Sequence, residues 1–495
     1  MVHAGVKLCV PLAVGTICMC LGVALVFVLD NIVHSMVNTK MTLTNTSAMY
    51  NSWKNPQAPV YMQFYVYDII NSYEVQHGKE LPYVIQKGPY TYKGYRPKID
   101  VHFNNNGTVS YTQNVTYFFD RSMSSGWDNE TLTTINIPLI SVASMARYMP
   151  DLLQTLIEAL EKVSGAELFM KKTVAELLWG YDDDMLKFIM NLTKKRFIKS
   201  DKFGIFIGMN NSDNGMHTVY TSADKLNIID KWQGLSSLPW WNDQYANMIN
   251  GTDGSQTPPF SDRSKPTYLF SADICRSVYG VFEKEVEVRG ITANRFVLDS
   301  YILGNVTDNP DNAAYCTPKN NCLPSGLLNT SVCHEGAPIV YSFPHFLYAD
   351  KDVILPCMNP NKEEHQTLVE YDYVTGISMS VYKRMQVNVH LTRQKDISDL
   401  SEINDVYYPV LWLNESFTID EASATKYKHM VLVPLYLAKI TPWVVFGIGC
   451  LIVIIALILL ARKQRRRYQT PLHGNSIQEN HDKEPILDGA TAEKA

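Results

Sequence analysis

Residues able to do covalent chemistry are plentiful in this chain but are not arranged for it. Serine, histidine and aspartate are scattered over all 495 residues. No serine sits in Gly-x-Ser-x-Gly, the turn on which an α/β-hydrolase raises its nucleophile. There is no glycine-rich phosphate loop and no His-Glu-x-x-His helix. The sequence therefore predicts no catalytic residue, no metal ligand and no cofactor. The five cysteines Cys275, Cys316, Cys322, Cys333 and Cys357 form a separate group from Cys9, Cys18, Cys20 and Cys450, which lie in or beside apolar runs. Five is odd, so one thiol of the group is free, buried or joined to a partner. The spacing of Cys316 and Cys322 suits a small closed loop. No Cys-x-x-Cys pair argues for zinc.

The chemistry that the spacing does support is modification. Ten Asn-x-Ser/Thr acceptors occur, at Asn45, Asn106, Asn114, Asn129, Asn191, Asn210, Asn250, Asn305, Asn329 and Asn414. All lie between two uncharged apolar runs, Leu8 to Leu29 and Ile440 to Ala461, each of 22 residues. At about 1.5 Å per residue either run spans a bilayer core of roughly 30 Å. The sequence predicts a membrane hairpin: a cytoplasmic tail over 1–7, a span over 8–29, a large glycosylated lumenal or extracellular domain over 30–439, a span over 440–461 and a cytoplasmic tail over 462–495. Arg462, Lys463, Arg465, Arg466 and Arg467 after the second run, and Lys7 before the first, fit the rule that short basic flanks stay cytoplasmic. The first run exceeds the apolar core of a signal peptide, about 7–15 residues, and is read as an uncleaved anchor. A lumenal domain is a compartment in which disulfides persist. Lys and Arg number 44 against 49 Asp and Glu, a net charge of -5, which implies no affinity for nucleic acid.

Between the spans the pattern is mainly β. Val60 to Ile69 is aromatic and β-branched and predicts a strand. Leu81 to Gln86, Gly88-Pro89 and Tyr90 to Tyr95 predict strand, turn and strand. Thr108 to Phe119 follows, then short strands at 216–220, 281–289, 293–298, 367–374, 377–390 and 406–413. One region departs from this. Asp151 to Met170 places Leu152, Leu156, Leu160 and Val163 three or four apart, the period of an amphipathic helix, with Lys171 and Lys172 at its carboxyl end. Thr173 and Glu176 have capping-box spacing, and Leu177, Leu178 and Trp179 open a further helix. The sequence thus predicts a β domain with a helical cap over 142–193. Leu152, Leu156, Leu160 and Phe169, beside Lys162, are expected to form an exposed apolar stripe for a partner; packing within the cap is the competing reading. Trp232, Trp240, Trp241 and Tyr245 are expected to pack in the core, with a carbohydrate or lipid site as the alternative.

Several segments together resemble the CD36 family of two-span glycoproteins, the class B scavenger receptors. They are GPY at 88–90, ELLWGY at 176–181, WW at 240–241, NMINGTDG at 247–254, CRSVY at 275–279, GAPIVYSFPHF at 336–346, MNPNKEEH at 358–365, TG at 375–376, KRMQVN at 383–388 and LWLNES at 411–416. The branch they look most like is the lysosomal one. The resemblance implies an antiparallel β-barrel crossed by a hydrophobic tunnel, with a helical bundle at its apex. It implies the pairs Cys275–Cys333 and Cys316–Cys322, leaving Cys357 free. It implies no enzymatic activity, and a structural rather than a basic role for His345. The implied ligands are cholesterol, phospholipid or other lipids, and the implied cargo is a lysosomal β-glucocerebrosidase-like enzyme; self-association into a homo-oligomer is compatible with it. Two departures matter. Where fatty-acid-binding relatives carry apical lysines, this chain has Val163 and Gly165, with Lys162 adjacent. Where the lysosomal relative has a pH-sensing histidine, this chain has Asp151, and an aspartate is not the residue type that switches charge between neutral and mildly acidic pH. The tail segment Asp482-Lys483-Glu484-Pro485-Ile486-Leu487 resembles the acidic dileucine signal read by clathrin adaptors. It predicts a lysosome and late-endosome membrane protein, the plasma membrane being the alternative.

Overall fold

A computed structural model describes residues 2–468 apart from 48, 57, 164–166 and 214. The tail signal at Asp482, Ile486 and Leu487 lies outside the described residues, as does Gly165. The chain divides into two compact units, one made by the terminal segments and one spanning His34–Leu432.

Among the described residues, the terminal unit contains two helices long and apolar enough to cross a membrane. The first, α1, runs over Val2–Met41. It therefore continues beyond Leu29 through Asp30, where the sequence placed the end of the span. The last helix covers Val433–Tyr468. Glycines let the two backbones meet. A Cβ on Gly449 would stand 2.8 Å from the Gly15 carbonyl oxygen and 2.8 Å from the Met19 nitrogen. Small residues serve this purpose in lipid, where no hydrophobic force draws helices together. Phe27 and Ile454 keep more than half of their surface exposed, as lipid-facing residues do.

His34–Leu432 is built on an antiparallel sheet of 15 strands. Its main path uses β1 (Val60–Ile69), β2 (Val84–Tyr95), β3 (Thr108–Phe119), β4 (His217–Tyr220), β5 (Ile229–Trp232), β6 (Thr267–Ser271), β7 (Arg276–Val288), β8 (Ile291–Val297), β9 (Leu368–Tyr371), β10 (Ser378–Leu391) and β11 (Val406–Thr418). The order is β5-β4-β3-β2-β1-β11-β10-β9-β8-β7-β6. Residues 251–252 span the gap between the two edge strands. The Ile229 N–H donates to the Gly251 carbonyl at 2.9 Å, and Phe270 N–H to the Thr252 carbonyl at 2.9 Å. The sheet is thereby a nearly closed barrel, which leaves few unpaired edge groups.

The expected turn at Gly88-Pro89 is not a turn. β2 runs through it unbroken, and the β1–β2 register shifts between Phe64 and Val66. Gly88 has φ of 124°, and a Cβ there would lie 2.6 Å from the Phe64 carbonyl oxygen. The Gly-Pro pair therefore makes a bulge, where proline costs no ladder hydrogen bond.

Four helices form the cap: α2 (Ile137–Ala146), α3 (Pro150–Lys162), α4 (Val174–Trp179) and α5 (Asp184–Leu192). α3 ends at Lys162 rather than Met170. Phe169–Thr173 is instead a strand paired antiparallel with Thr131–Ile135, so Lys171 and Lys172 are strand residues and not a helix terminus. The capping box is present. Thr173 N–H donates to Glu176 Oε2 at 2.8 Å, and Glu176 N–H donates to Thr173 Oγ1 at 3.2 Å.

Candidate functional site

Antiparallel pairing fixes which side chains share a face. On one face of β1, β11 and β10 the register forms three rungs: Val66–Leu411–Val387, Phe64–Leu413–Met385 and Met62–Glu415–Lys383. The first two are wholly apolar. The third carries a carboxylate and an ammonium. Lys383 Nζ lies 3.2 Å from Glu415 Oε2. Arg96, just past β2, pairs with Glu415, and Lys383 pairs also with Asp273. Arg96 Nη2 donates to the Tyr117 hydroxyl at 2.9 Å. Two cations and two anions thus close a neutral network.

Burial opposes ionisation of Glu415, but Arg96 and Lys383 outweigh it and hold the carboxyl down to about 2. Burial likewise opposes the charge on Lys383, and Asp273 and Glu415 reverse this and raise its pKa. The side chains of Arg96, Glu415 and Lys383 keep 22%, 15% and 28% of their surface accessible, so the network is not sealed from solvent. An ionic rung with free surface, beside apolar rungs, can meet the polar end of an amphiphile.

The opposite face of the same strands holds a concavity. Tyr65 and Trp412 are cross-strand partners with rings stacked at 3.9 Å and 3°. With His345, His365, Arg384 and Asn414 they line a depression of about 350 Å³. The imidazoles of His345 and His365 are parallel, 4.4 Å apart. Asn359 N–H donates to His345 Nδ1 at 3.1 Å, and Asn361 N–H donates to His365 Nδ1 at 2.9 Å. Both rings are therefore held neutral with the proton on Nε2. Burial pushes both down to about 4, and for His365 the adjacent ring and Arg384 push the same way. His345 is thus locked in the scaffold, with Nε2 against Gln86 Oε1 at 2.8 Å.

The expected apolar stripe on the cap is corrected. Leu152 and Leu156 are fully buried, Phe169 is buried, and Leu160 is half-buried against the core. The helical period of α3 turns the three leucines toward α2 and α5 and not outward, and Phe169, a strand residue, packs beside Tyr408. Lys162 is exposed and pairs with Glu158 at 2.6 Å. What the cap does expose is Tyr148, at 77%, with Met149 and Leu192. Asp151 and Arg196, 3.6 Å apart, join the start of α3 to the segment after α5.

The structure bonds Cys275 to Cys333 and Cys316 to Cys322, and Cys357 is free and half-buried. Asn45, Asn106, Asn129 and Asn191 are exposed, and Asn114, Asn210, Asn250, Asn305 and Asn329 are half-buried. Asn414 is buried, with Nδ2 donating to Gln63 Oε1 at 2.9 Å. Trp232 and Trp241 are core residues, the Trp241 indole donating to the Cys275 carbonyl at 2.7 Å. Tyr245 is exposed instead. Sequence reasoning missed the ionic network. Its signal was a charged residue at an inward position of an alternating strand: Lys383 before Met385, and Glu415 after Leu413.

The model of the CD36 family matches residues 13–460. This chain belongs to the CD36 family. It is 38% identical to mouse (Mus musculus) lysosome membrane protein 2 over 429 residues, covering 85% of this chain and 88% of that protein. The human (Homo sapiens) lysosome membrane protein 2 is 37% identical over the same length, with the same coverage. Scavenger receptor class B member 1 of rat (Rattus norvegicus) is 31% identical over 459 residues, covering 91% and 89%. The CD36-family match includes both apolar helices, the barrel and the cap.

Proposed function

We propose that this protein is a lipid-binding receptor of the lysosomal membrane. Its barrel takes cholesterol or phospholipid into a tunnel, and its cap carries a β-glucocerebrosidase-like hydrolase. The observation that carries the lipid reading is the inner face of β1, β10 and β11. Two apolar rungs, closely packed with at most 9% of any side chain exposed, adjoin one neutral ionic rung whose side chains keep free surface. Each CH₂ removed from water along such a path gains about 0.8 kcal/mol. The charged rung would receive the headgroup or hydroxyl. Mass spectrometry of lipid co-purifying with the full-length protein tests this. The expected result is about one sterol or phospholipid per chain. A lipid-free preparation that also takes up neither labelled cholesterol nor labelled phospholipid would overturn it.

The lysosomal reading rests on the likeness to lysosome membrane protein 2 and on the acidic dileucine pattern at Asp482, Ile486 and Leu487. Replacing Ile486 and Leu487 by Ala is expected to redirect the protein to the cell surface by removing a clathrin-adaptor contact. The cargo surface is Tyr148, Met149 and Leu192, which replace the buried leucines. The double change Tyr148→Ala and Leu192→Ala should abolish pull-down of the hydrolase without unfolding. A second reading, a plasma-membrane scavenger receptor for lipoproteins or anionic phospholipid, is favoured by the likeness to scavenger receptor class B member 1. A steady-state surface location of the endogenous protein would select it.

A further inference from the structure

Of the ten acceptors Asn414 is the one that lines the depression beside Trp412; Asn305 and Asn329 line a smaller cavity elsewhere. Asn414 belongs to the acceptor Asn414-Glu415-Ser416, and it lines the depression beside Tyr65, Trp412 and Arg384. Strand alternation sends Glu415 inward to the ionic network and Asn414 to the opposite face. Asn414 Nδ2 uses one hydrogen on Gln63 Oε1, which leaves the other for substitution. Its Oδ1 is buried and has no hydrogen-bond partner in the structure. The depression, at about 350 Å³, falls within the range of small-ligand sites, roughly 300–1,000 Å³. Its walls mix aromatic rings with hydrogen-bonding groups. Tyr65 and Trp412 supply ring surface, Glu363 and Glu364 supply carboxylates, and Asn359 an amide. That mixture suits a sugar, whose ring presents C–H faces and a rim of hydroxyls. Arg384 is fixed in place, donating to the Glu363 and Gln366 carbonyls at 2.9 Å each, so the wall is preorganised.

We propose that the depression formed by Tyr65, Trp412, His365, Arg384 and Glu364 seats the first N-acetylglucosamine of a glycan attached at Asn414, making that glycan a structural part of the barrel wall. The attachment is an ordinary N-glycosidic bond: the amide nitrogen replaces the lipid pyrophosphate carrier at the sugar C1, and its proton leaves with that carrier. The inference rests on the lumenal placement of the domain. Glycans on Asn45, Asn106, Asn129 and Asn191 stand in water, whereas this one is folded against protein. Enzymes that trim or remove glycans reach it only through local opening.

The test is site-resolved glycopeptide mass spectrometry of the full-length protein, with and without amidase treatment under native conditions. Asn414 is expected to be occupied, to retain unprocessed oligomannose, and to be released more than about tenfold more slowly than the exposed sites. Glu364→Trp fills the depression from an exposed wall position. It should bring processing and release at Asn414 to the rate of the exposed sites. If Asn45, Asn106, Asn129 and Asn191 are all unmodified, the lumenal placement fails and the seat with it. If those four are occupied but Asn414 is bare, or is released as fast as they are, the seat alone is overturned. Protection that survives Glu364→Trp also overturns it.

Discussion

The cap and the barrel interior bury side chains by opposite rules. In α3 every strongly periodic residue is apolar, and Leu152 and Leu156 are lost entirely from the surface. On the inner barrel face, apolar rungs give way to Arg96, Lys383, Glu415 and Asp273, which pair with one another and still keep free surface, though the buried Arg96 Nε has no partner. The cap shows that a clean hydrophobic period marks packing and not a partner surface. The barrel shows that a broken period can mark a charge network assembled from distant segments. A buried charge persists only when paired, so an ionic rung retained inside a barrel has a cost that an apolar rung would not.

That contrast is sharpest under substitution. Glu415→Ala leaves Arg96 without its carboxylate and Lys383 with Asp273 alone. It is expected to cost about 3–5 kcal/mol in denaturant unfolding, because an uncompensated buried charge is worse than none. A loss below about 1 kcal/mol would mean that the network is solvated like a surface pair. In the cap, Leu156→Ala removes only apolar contacts and should cost about 2–4 kcal/mol, scaled by the cavity it leaves. An unchanged midpoint would place Leu156 at the surface after all.

Acid should separate the regions next. His345 and His365 are held neutral with pKa about 4, below the ordinary 6.5. The unfolded chain therefore binds protons first as pH falls. Stability is complete above about pH 6.5 and declines toward pH 4, by at most about 1.4 kcal/mol per pH unit for each ring. Glu363, Glu364 and Arg384 face the same depression. The Glu415 network, held near 2, should not respond in this range. A stability profile flat from pH 7 to 5 would remove the imidazole pair from this account. Residues 137–200 contain no histidine, so cargo binding by the cap should be unchanged from pH 7 to 5.5. The smallest effect belongs to Lys162. Its pair with Glu158 is exposed, and Lys162→Ala should shift stability by less than about 0.5 kcal/mol.

What was legible in the sequence follows the same division. β1 and Thr108 to Phe119 were readable because aromatic and β-branched residues alternate between clear turn signals. The capping box at Thr173 and Glu176 was readable because its two hydrogen bonds are local. The end of α3 was not. Phe169 and Met170 fit the helical period, but pairing with Thr131–Ile135, a contact distant in sequence, draws them into a strand. The Gly88-Pro89 turn failed for a similar reason, since a bulge against Phe64 satisfies the same residues. The ionic rung was invisible because its members come from four separate segments, and only the barrel register joins them. The His345–His365 stack likewise needed the chain to bring 345 and 365 together.

On the proposed lipid reading, an amphiphile lies against the charged rung on the inner face of β1, β10 and β11. Photo-crosslinking of the full-length protein in membranes with a photoactivatable cholesterol or phospholipid, followed by peptide mapping, tests it most directly. Adducts are expected on Arg96, Lys383 and Glu415, whose side chains keep free surface, and are expected to be lost by competition with unlabelled lipid. Adducts confined to the two apolar helices, with none on those three residues, would contradict it.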